Sequence, residues 1–206
     1  MKNSKLRRAL LLVACAVLLV SISVSATLAY LTSYTETVTN TFTVGSVNID
    51  LDEAPVDEDG KATDGDRVKA NAYHLLPGHE YDKDPTIHVD DDSEDCWLFV
   101  KIVDEIADIQ DADTIAAQLA DNDWTAVEGV EGVYAYKTTV SGGADVVVFE
   151  SFKIKGDVTK EELAAYAGKT ITVQAYAVQA DGLDTAAAAW SAAPLQTWLP
   201  AVEEGA

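Results

Sequence analysis

The sequence is short of cysteine, histidine and basic residues. There are 2 Cys, 3 His and 14 Lys+Arg against 35 Asp+Glu, for a formal net charge of −21 in 206 residues. The shortage of basic residues excludes a nucleic-acid binder, because the phosphate backbone recruits Lys and Arg and repels an acidic surface. It also argues against an ordinary ligand of anionic membranes. The shortage of cysteine excludes a disulfide scaffold, so the fold relies on an apolar core. Composition supplies one, since 48% of residues are hydrophobic and the aromatics are spread along the chain, which also argues against wholesale disorder.

What is present begins with a leader. Lys2, Lys5, Arg7 and Arg8 precede an apolar run from Ala9 to Val20, followed by small residues ending in Thr27-Leu28-Ala29. A positive start, an apolar middle and a small-x-small ending describe an export signal. Cleavage is expected after Ala29, leaving Tyr30 as the first residue. The competing reading is an uncleaved anchor, because residues 9–31 carry no charge. Leu12-Val13-Ala14-Cys15 also resembles a lipidation site, although its apolar run continues well past the cysteine. The leader's four charges are all positive, so its removal takes the net charge from −21 to −25. Such a surface is soluble and repels like-charged polymers. The expected organisation is 1–29 signal peptide, 30–40 extended segment, 41–200 β domain and 201–206 tail. Cys96 is then the one remaining thiol. It precedes the apolar Trp97-Leu98-Phe99-Val100 and is expected to be buried and inert, with an intermolecular disulfide as the alternative.

The exported part reads mainly as strands. Phe42 and Val44 alternate with polar neighbours, as do Val47, Ile49 and Leu51, with a one-residue slip at Gly45-Ser46 that predicts a β-bulge. Residues 52–66 read as an acidic loop, and 68–76 as a short strand ended by Pro77-Gly78. In 86–90, Ile87 and Val89 point inward and His88 outward. Residues 97–103 are apolar on both faces, as in a central strand, and 146–154 read as a similar strand. In 170–179, Ile171, Val173, Ala175 and Ala177 share one face. Three helices are expected. Residues 113–120 pair Ile115 with Leu119. Residues 159–166 carry a capping box from Thr159 to Glu162, a Val158/Leu163 staple and a Gly168 stop. Residues 185–193 are alanine-rich around Trp190. Strands outnumber helices without regular alternation, so the expected fold is mainly β, a jelly-roll-like sandwich with short helical insertions.

Reactive chemistry is hard to find. His74, His79 and His88 form no zinc motif, there is no P-loop or nucleophile elbow, and no Ser–His–Asp set is favoured. The acidic stretches are the plausible metal ligands: Asp57, Asp59, Asp64 and Asp66 around two glycines, and Asp90, Asp92 and Asp95 in a second turn. Hard oxygen ligands suit Ca²⁺, so weak Ca²⁺ binding stands as an expectation beside plain solvated turns. Neither stretch has EF-hand spacing. No other cofactor is implied.

Ala26-Thr-Leu-Ala-Tyr-Leu-Thr-Ser33, then Asn40-Thr-Phe-Thr-Val-Gly-Ser-Val-Asn-Ile-Asp-Leu51, resembles the opening of the TasA/camelysin family of Gram-positive bacteria. Leu76-Pro77-Gly78-His79-Glu80 resembles that family's Pro-Gly turn, and Thr170-Ile-Thr-Val-Gln-Ala-Tyr-Ala-Val-Gln179 its late strand. Asp90-Asp91-Asp92-Ser93 stands where the family usually has an Asn-x-Gly-x turn. The resemblance implies a jelly-roll fold, export through a dedicated signal peptidase, and a secreted cell-surface or biofilm-matrix protein. It touches the membrane only through its leader and polymerises by passing the segment after cleavage to the next subunit. The matching donor strand is Tyr30, Thr32, Tyr34 and on to Val38, β-formers without Pro or Gly; the competing reading is a disordered tail. Partners would be further copies or other matrix proteins. Some family members are described as metalloproteases, so a secreted camelysin-like protease is the alternative, with a monomeric adhesion module as a third. The expectation is that the chain is not an enzyme.

Overall fold

The structure is a computed structural model that describes residues 11–14, 45–111 and 114–193. The chain divides into two compact units, Met1–Thr43 and Val44–Ala206. In the first, residues 11–14 form a helical turn. The signal-cleavage pair Ala29–Tyr30, the donor segment, Phe42 and Val44 of the expected bulge, and the 201–206 tail all lie outside the described residues.

The second unit is mainly β, with several antiparallel sheets and few helices. Strands β1 (Ile49–Asp52), β3 (Thr86–Val89) and β7 (Asp145–Val147) form one sheet in the order β1-β3-β7. Strands β2 (Glu80–Asp82) and β8 (Ser151–Lys153) form a pair. Strands β4 (Cys96–Asp104), β5 (Trp124–Ala126), β6 (Val133–Tyr136) and β9 (Ile171–Gln179) form the largest sheet, ordered β5-β6-β4-β9. The helices are α1 (Thr114–Asp121), α2 (Lys160–Ala164) and α3 (Ala186–Ala192), with a 3₁₀ turn at Ala107–Ile109. Among the described residues, no helix is long and apolar enough to cross a membrane.

Period-two alternation places the core between these sheets. Ile87, Val89 and Val146 come from the first sheet, and Cys96, Leu98, Val100 and Trp124 from the third. Ile115 and Leu119 of α1 join them, and all are buried in one cluster. Ile171, Val173, Ala175 and Ala177 pack on the same cluster from β9, as their shared face predicts. The opposite face of β4 carries Trp97 and Phe99, which pack with Ala189 under α3. The Trp97 indole N–H donates to Leu183 O at 2.9 Å. This two-sided burial is why 97–103 reads as central, and β4 does lie between β6 and β9. The α2 capping box is present, with Thr159 accepting from the Glu162 backbone N–H and Glu162 accepting from the Thr159 N–H. Gly168 follows at φ 82°, a conformation that only glycine adopts without strain.

Two strand expectations are corrected. Residues 146–154 are not one strand, because the chain leaves the first sheet after Val147 and enters the β2–β8 pair at Ser151. Val148 and Phe149 between them are both fully buried. Adjacent residues of a straight strand point to opposite faces, so burying both bends the chain from one sheet into another. Residues 68–76 form no ladder. Val68 makes an isolated bridge to Glu53, and the segment beyond is tied down by side chains. Asn71 Oδ1 accepts from the Val56 N–H at 3.1 Å, and the Tyr73 hydroxyl donates to Asp82 O at 2.9 Å. The alternation of Asn71, Tyr73 and Leu75 half-buried with Ala72, His74 and Leu76 exposed is real, but it carries packing without strand pairing. Gly45 and Ser46 precede the first strand, and Phe42 and Val44, on the other side of the expected slip, lie outside the described residues.

Candidate functional site

Strand β9 has β4 on one side and no strand on the other among the described residues. The register decides which backbone groups are free. The Ala180 N–H donates to Asp95 O at 2.7 Å, and the Glu105 N–H donates to Thr170 O at 3.0 Å. These flank the pairing of Cys96 with Gln179 through Asp104 with Ile171. In an antiparallel ladder, hydrogen-bonded and non-hydrogen-bonded pairs alternate. Even-numbered residues of β9 therefore turn their N–H and C=O toward β4, while Val173, Ala175 and Ala177 turn theirs to the open edge. Their side chains meanwhile face the core.

Beside the start of this edge lies a groove of about 990 Å³. Its walls are β1 (Leu51 to Glu53 side), residues 69–77, α2 and the first residues of β9, with Leu75, Phe152, Leu163, Ile171 and Val173 giving it an apolar lining. Four lysines stand on it: Lys69, Lys83, Lys160 and Lys169. Lys69 pairs with Asp50 at 2.5 Å and Lys169 with Glu105 at 3.0 Å, while Lys160 has no ion pair among the described residues. Asp52 and Glu53 also line the groove and Lys83 pairs with Glu53, so three of the four lysines are compensated over an apolar floor.

The polar end of the groove holds a connected set. The Glu53 carboxylate, 6% exposed, takes Lys83 Nζ at 2.5 Å on Oε2 and Asn71 Nδ2 at 3.1 Å on Oε1. Asn71 Nδ2 also donates to Ala54 O at 2.8 Å. Tyr73 lies alongside, its ring 5.7 Å from Tyr81 and 5.2 Å from Phe152, edge-on to both. Burial, reinforced by the Glu53 charge, pushes the Tyr73 hydroxyl well above the ordinary phenol range.

A second network crosses the first sheet. His88 on β3 places Nδ1 2.6 Å from Asp145 on β7 and Nε2 2.9 Å from Asp52 on β1. Arg67 joins Asp52 to Asp84 and also donates to the Thr86 hydroxyl at 2.9 Å. Partial burial works to lower the His88 pKa, but the hydrogen bonds to Asp52 and Asp145 outweigh it and hold the ring above its ordinary value. Burial likewise works to raise Asp52, and Arg67 and His88 together bring it below the usual carboxylate range. His88 is on the outer face as expected, yet it is half-buried and doubly paired. His74 is exposed, and a His79 ring nitrogen lies 2.8 Å from Asp59 O. The three histidines do not meet.

The acidic stretches are turns. Asp57 Oδ1 accepts from the backbone N–H groups of Asp59 and Lys61 at 3.0 and 2.9 Å. The tip closes at Gly60, whose φ of 71° and close approach to Tyr81 leave no room for a side chain. Asp59, Asp64, Asp66, Asp90, Asp92 and Asp95 are exposed. Among the described residues, no three His, Cys, Asp or Glu side chains come together in a group fit to hold a metal ion. Cys96 is fully buried, and burial pushes its thiol up to about 11, in line with an inert structural cysteine.

The sequence reading missed Glu53, Asn71 and Lys83. A signal for them exists. Glu53 continues the inward phase of Val47, Ile49 and Leu51, Asn71 opens that of Tyr73 and Leu75, and Lys83 follows Tyr81. A carboxylate in an inward phase requires a buried partner.

Comparison with protein-family models, with curated proteins and with solved structures finds no match to this chain.

Proposed function

We propose that the protein is an exported structural component of a bacterial surface or matrix, a jelly-roll-like sandwich of the TasA/camelysin kind. It polymerises when residues 30–38 of one copy pair with the open edge of β9 in the next. The observation that carries this reading is that edge: three core-facing residues with outward backbone groups, running out of an apolar groove. An unpaired edge is a ready template for an incoming strand, and β-augmentation satisfies its donors and acceptors while the groove takes alternate side chains.

The proposed donor suits the acceptor. Residues 30–38 match the nine of β9 in length. They hold aromatic and β-branched residues and a single charge, Glu36. They are thus among the least acidic parts of an acidic chain, so little like-charge repulsion opposes their approach. Cleavage before Tyr30 would release the donor, so export and assembly would be coupled.

The test is electron microscopy of purified protein beginning at Tyr30. Fibres are expected, and deletion of residues 30–38 is expected to abolish them while circular dichroism stays unchanged. Fibres that form equally well without those residues would refute strand donation.

A further inference from the structure

We propose that Lys83 and Asn71 become joined, after folding, by an intramolecular amide bond, and that Glu53 is the catalytic residue that forms it. This inference stands independently of fibre assembly.

Three groups with complementary chemistry converge at the polar end of the groove. Lys83 supplies a primary amine, Asn71 a carboxamide and Glu53 a carboxylate that touches both, through Oε2 at 2.5 Å and Oε1 at 3.1 Å. The Lys83 and Glu53 side chains are 11% and 6% exposed, the most buried ion pair among the described residues. The three sit on separate stretches of chain, Glu53 just after β1, Asn71 in the segment without a ladder and Lys83 just after β2, so only the folded chain assembles them. Each is held in place. Glu53 exchanges both backbone hydrogen bonds with Val68 at 2.9 and 2.8 Å, and the Lys83 N–H donates to Glu150 O at 2.9 Å. The Asn71 amide is oriented from two sides, with the Val56 N–H donating to Oδ1 and Nδ2 donating to Ala54 O. Oδ1 therefore already faces a backbone donor, as an oxyanion needs, and Nδ2 faces the carboxylate, as a leaving group needs. Tyr73, edge-on to Tyr81 and Phe152, flanks the site.

The step balances without an outside reagent. Glu53 accepts a proton from the Lys83 ammonium, and the freed Nζ attacks Asn71 Cγ. Negative charge develops on Oδ1 in front of the Val56 N–H. Glu53 then relays a proton from the attacking nitrogen to Nδ2. The C–Nζ bond forms, the C–Nδ2 bond breaks, and ammonia leaves with the surplus proton of Lys83 as ammonium. Glu53 ends as the carboxylate it began as, acting as base and then acid, and proximity supplies much of the rate. No electrons are exchanged with any other species. The product closes a covalent ring around β2 and fixes to it the 69–76 segment that no strand pairing holds. In a chain whose one described cysteine is buried and unpaired, this cross-link constrains the unfolded state as a disulfide would.

The experiment is intact-mass spectrometry of the purified, denatured protein, followed by peptide mapping. The expected mass is lower than that of the sequence from the observed first residue by one ammonia, and the map contains one branched peptide joining Asn71 to Lys83. Lys83→Arg, which keeps the charge and removes the nucleophile, restores the full mass, as does Glu53→Gln. Asn71→Asp loses one water in place of ammonia. A wild-type mass equal to that of the sequence overturns the proposal whether or not any variant folds, as does an ammonia loss that maps to other residues. A branched peptide that persists in Glu53→Gln overturns the role of Glu53.

Discussion

Replacing Ala175 by proline is the sharpest perturbation of the β9 edge. The N–H of residue 175 points away from β4, as the register of Val100 with Ala175 and the flanking bonds require. Proline at such a position removes no bond of the existing ladder, which is why edge strands tolerate it. An arriving strand, however, loses one donor and meets the ring. One hydrogen bond contributes about 0.5–1.5 kcal/mol, and the displaced neighbour roughly as much again. Each joint between subunits is then weaker by about 1–3 kcal/mol, and since about 1.4 kcal/mol is tenfold, the concentration needed for assembly rises roughly ten- to a hundredfold. The side chain of Ala175 faces the core, so added volume itself costs about 1–3 kcal/mol of fold stability. Ala175→Val carries a similar volume cost but keeps the N–H, and it serves as the control. Light scattering of the two variants at matched concentration reads the difference. Ala175→Val is expected to assemble and Ala175→Pro to stay monomeric. Equal assembly of both would refute the reasoning that free backbone groups drive the contact.

The His88 network predicts a pH dependence. A histidine held above its ordinary value contributes its full stability below the unfolded value of about 6.5 and loses it as pH rises through the folded value. The urea midpoint should therefore fall above that pH by an amount equivalent to about 1 kcal/mol or less, given the half-exposed pair, and His88→Gln should flatten the step. Leu119→Ala, in a fully buried position, should cost about 2–5 kcal/mol in denaturant unfolding. Thr159→Ala removes the side-chain half of the α2 cap, leaving the Thr159 N–H bond to Glu162, and should cost about 0.5–2 kcal/mol, seen as a lower Tm. Cys96 should resist thiol reagents in the native protein and react only on unfolding, with rapid native labelling contradicting its burial.

Much of the fold was legible because one period governs each long element. Residues 171–179 alternate between two faces, Ile87 and Val89 flank His88, and the doubly apolar strand is buried on both sides over 97–100, while Val103 at its far end is exposed. Thr159 and Glu162 fixed a helix start through local chemistry alone. Residues 146–154 misled because hydrophobicity marks burial and not sheet membership, so a bend with Val148 and Phe149 both inside looks like a continuous strand. Residues 68–76 misled because alternation reports sidedness, whereas ladder formation depends on a neighbouring backbone being available. The buried cluster of Glu53, Asn71 and Lys83 was hidden by sequence separation, since the fold brings together residues 18 and 30 positions apart. That β9 has no second neighbour among the described residues could not be read at all, because strand order is a property of the whole sheet.

Hydrogen–deuterium exchange at single-amide resolution, comparing monomer with assembled material, tests the central claim most directly. The account predicts that the amides of Val173, Ala175 and Ala177 exchange readily in the monomer and become protected on assembly, while those of Thr172, Gln174 and Tyr176, already bonded to β4, are protected in both. Unchanged exchange at the odd-numbered positions in assembled material would contradict it.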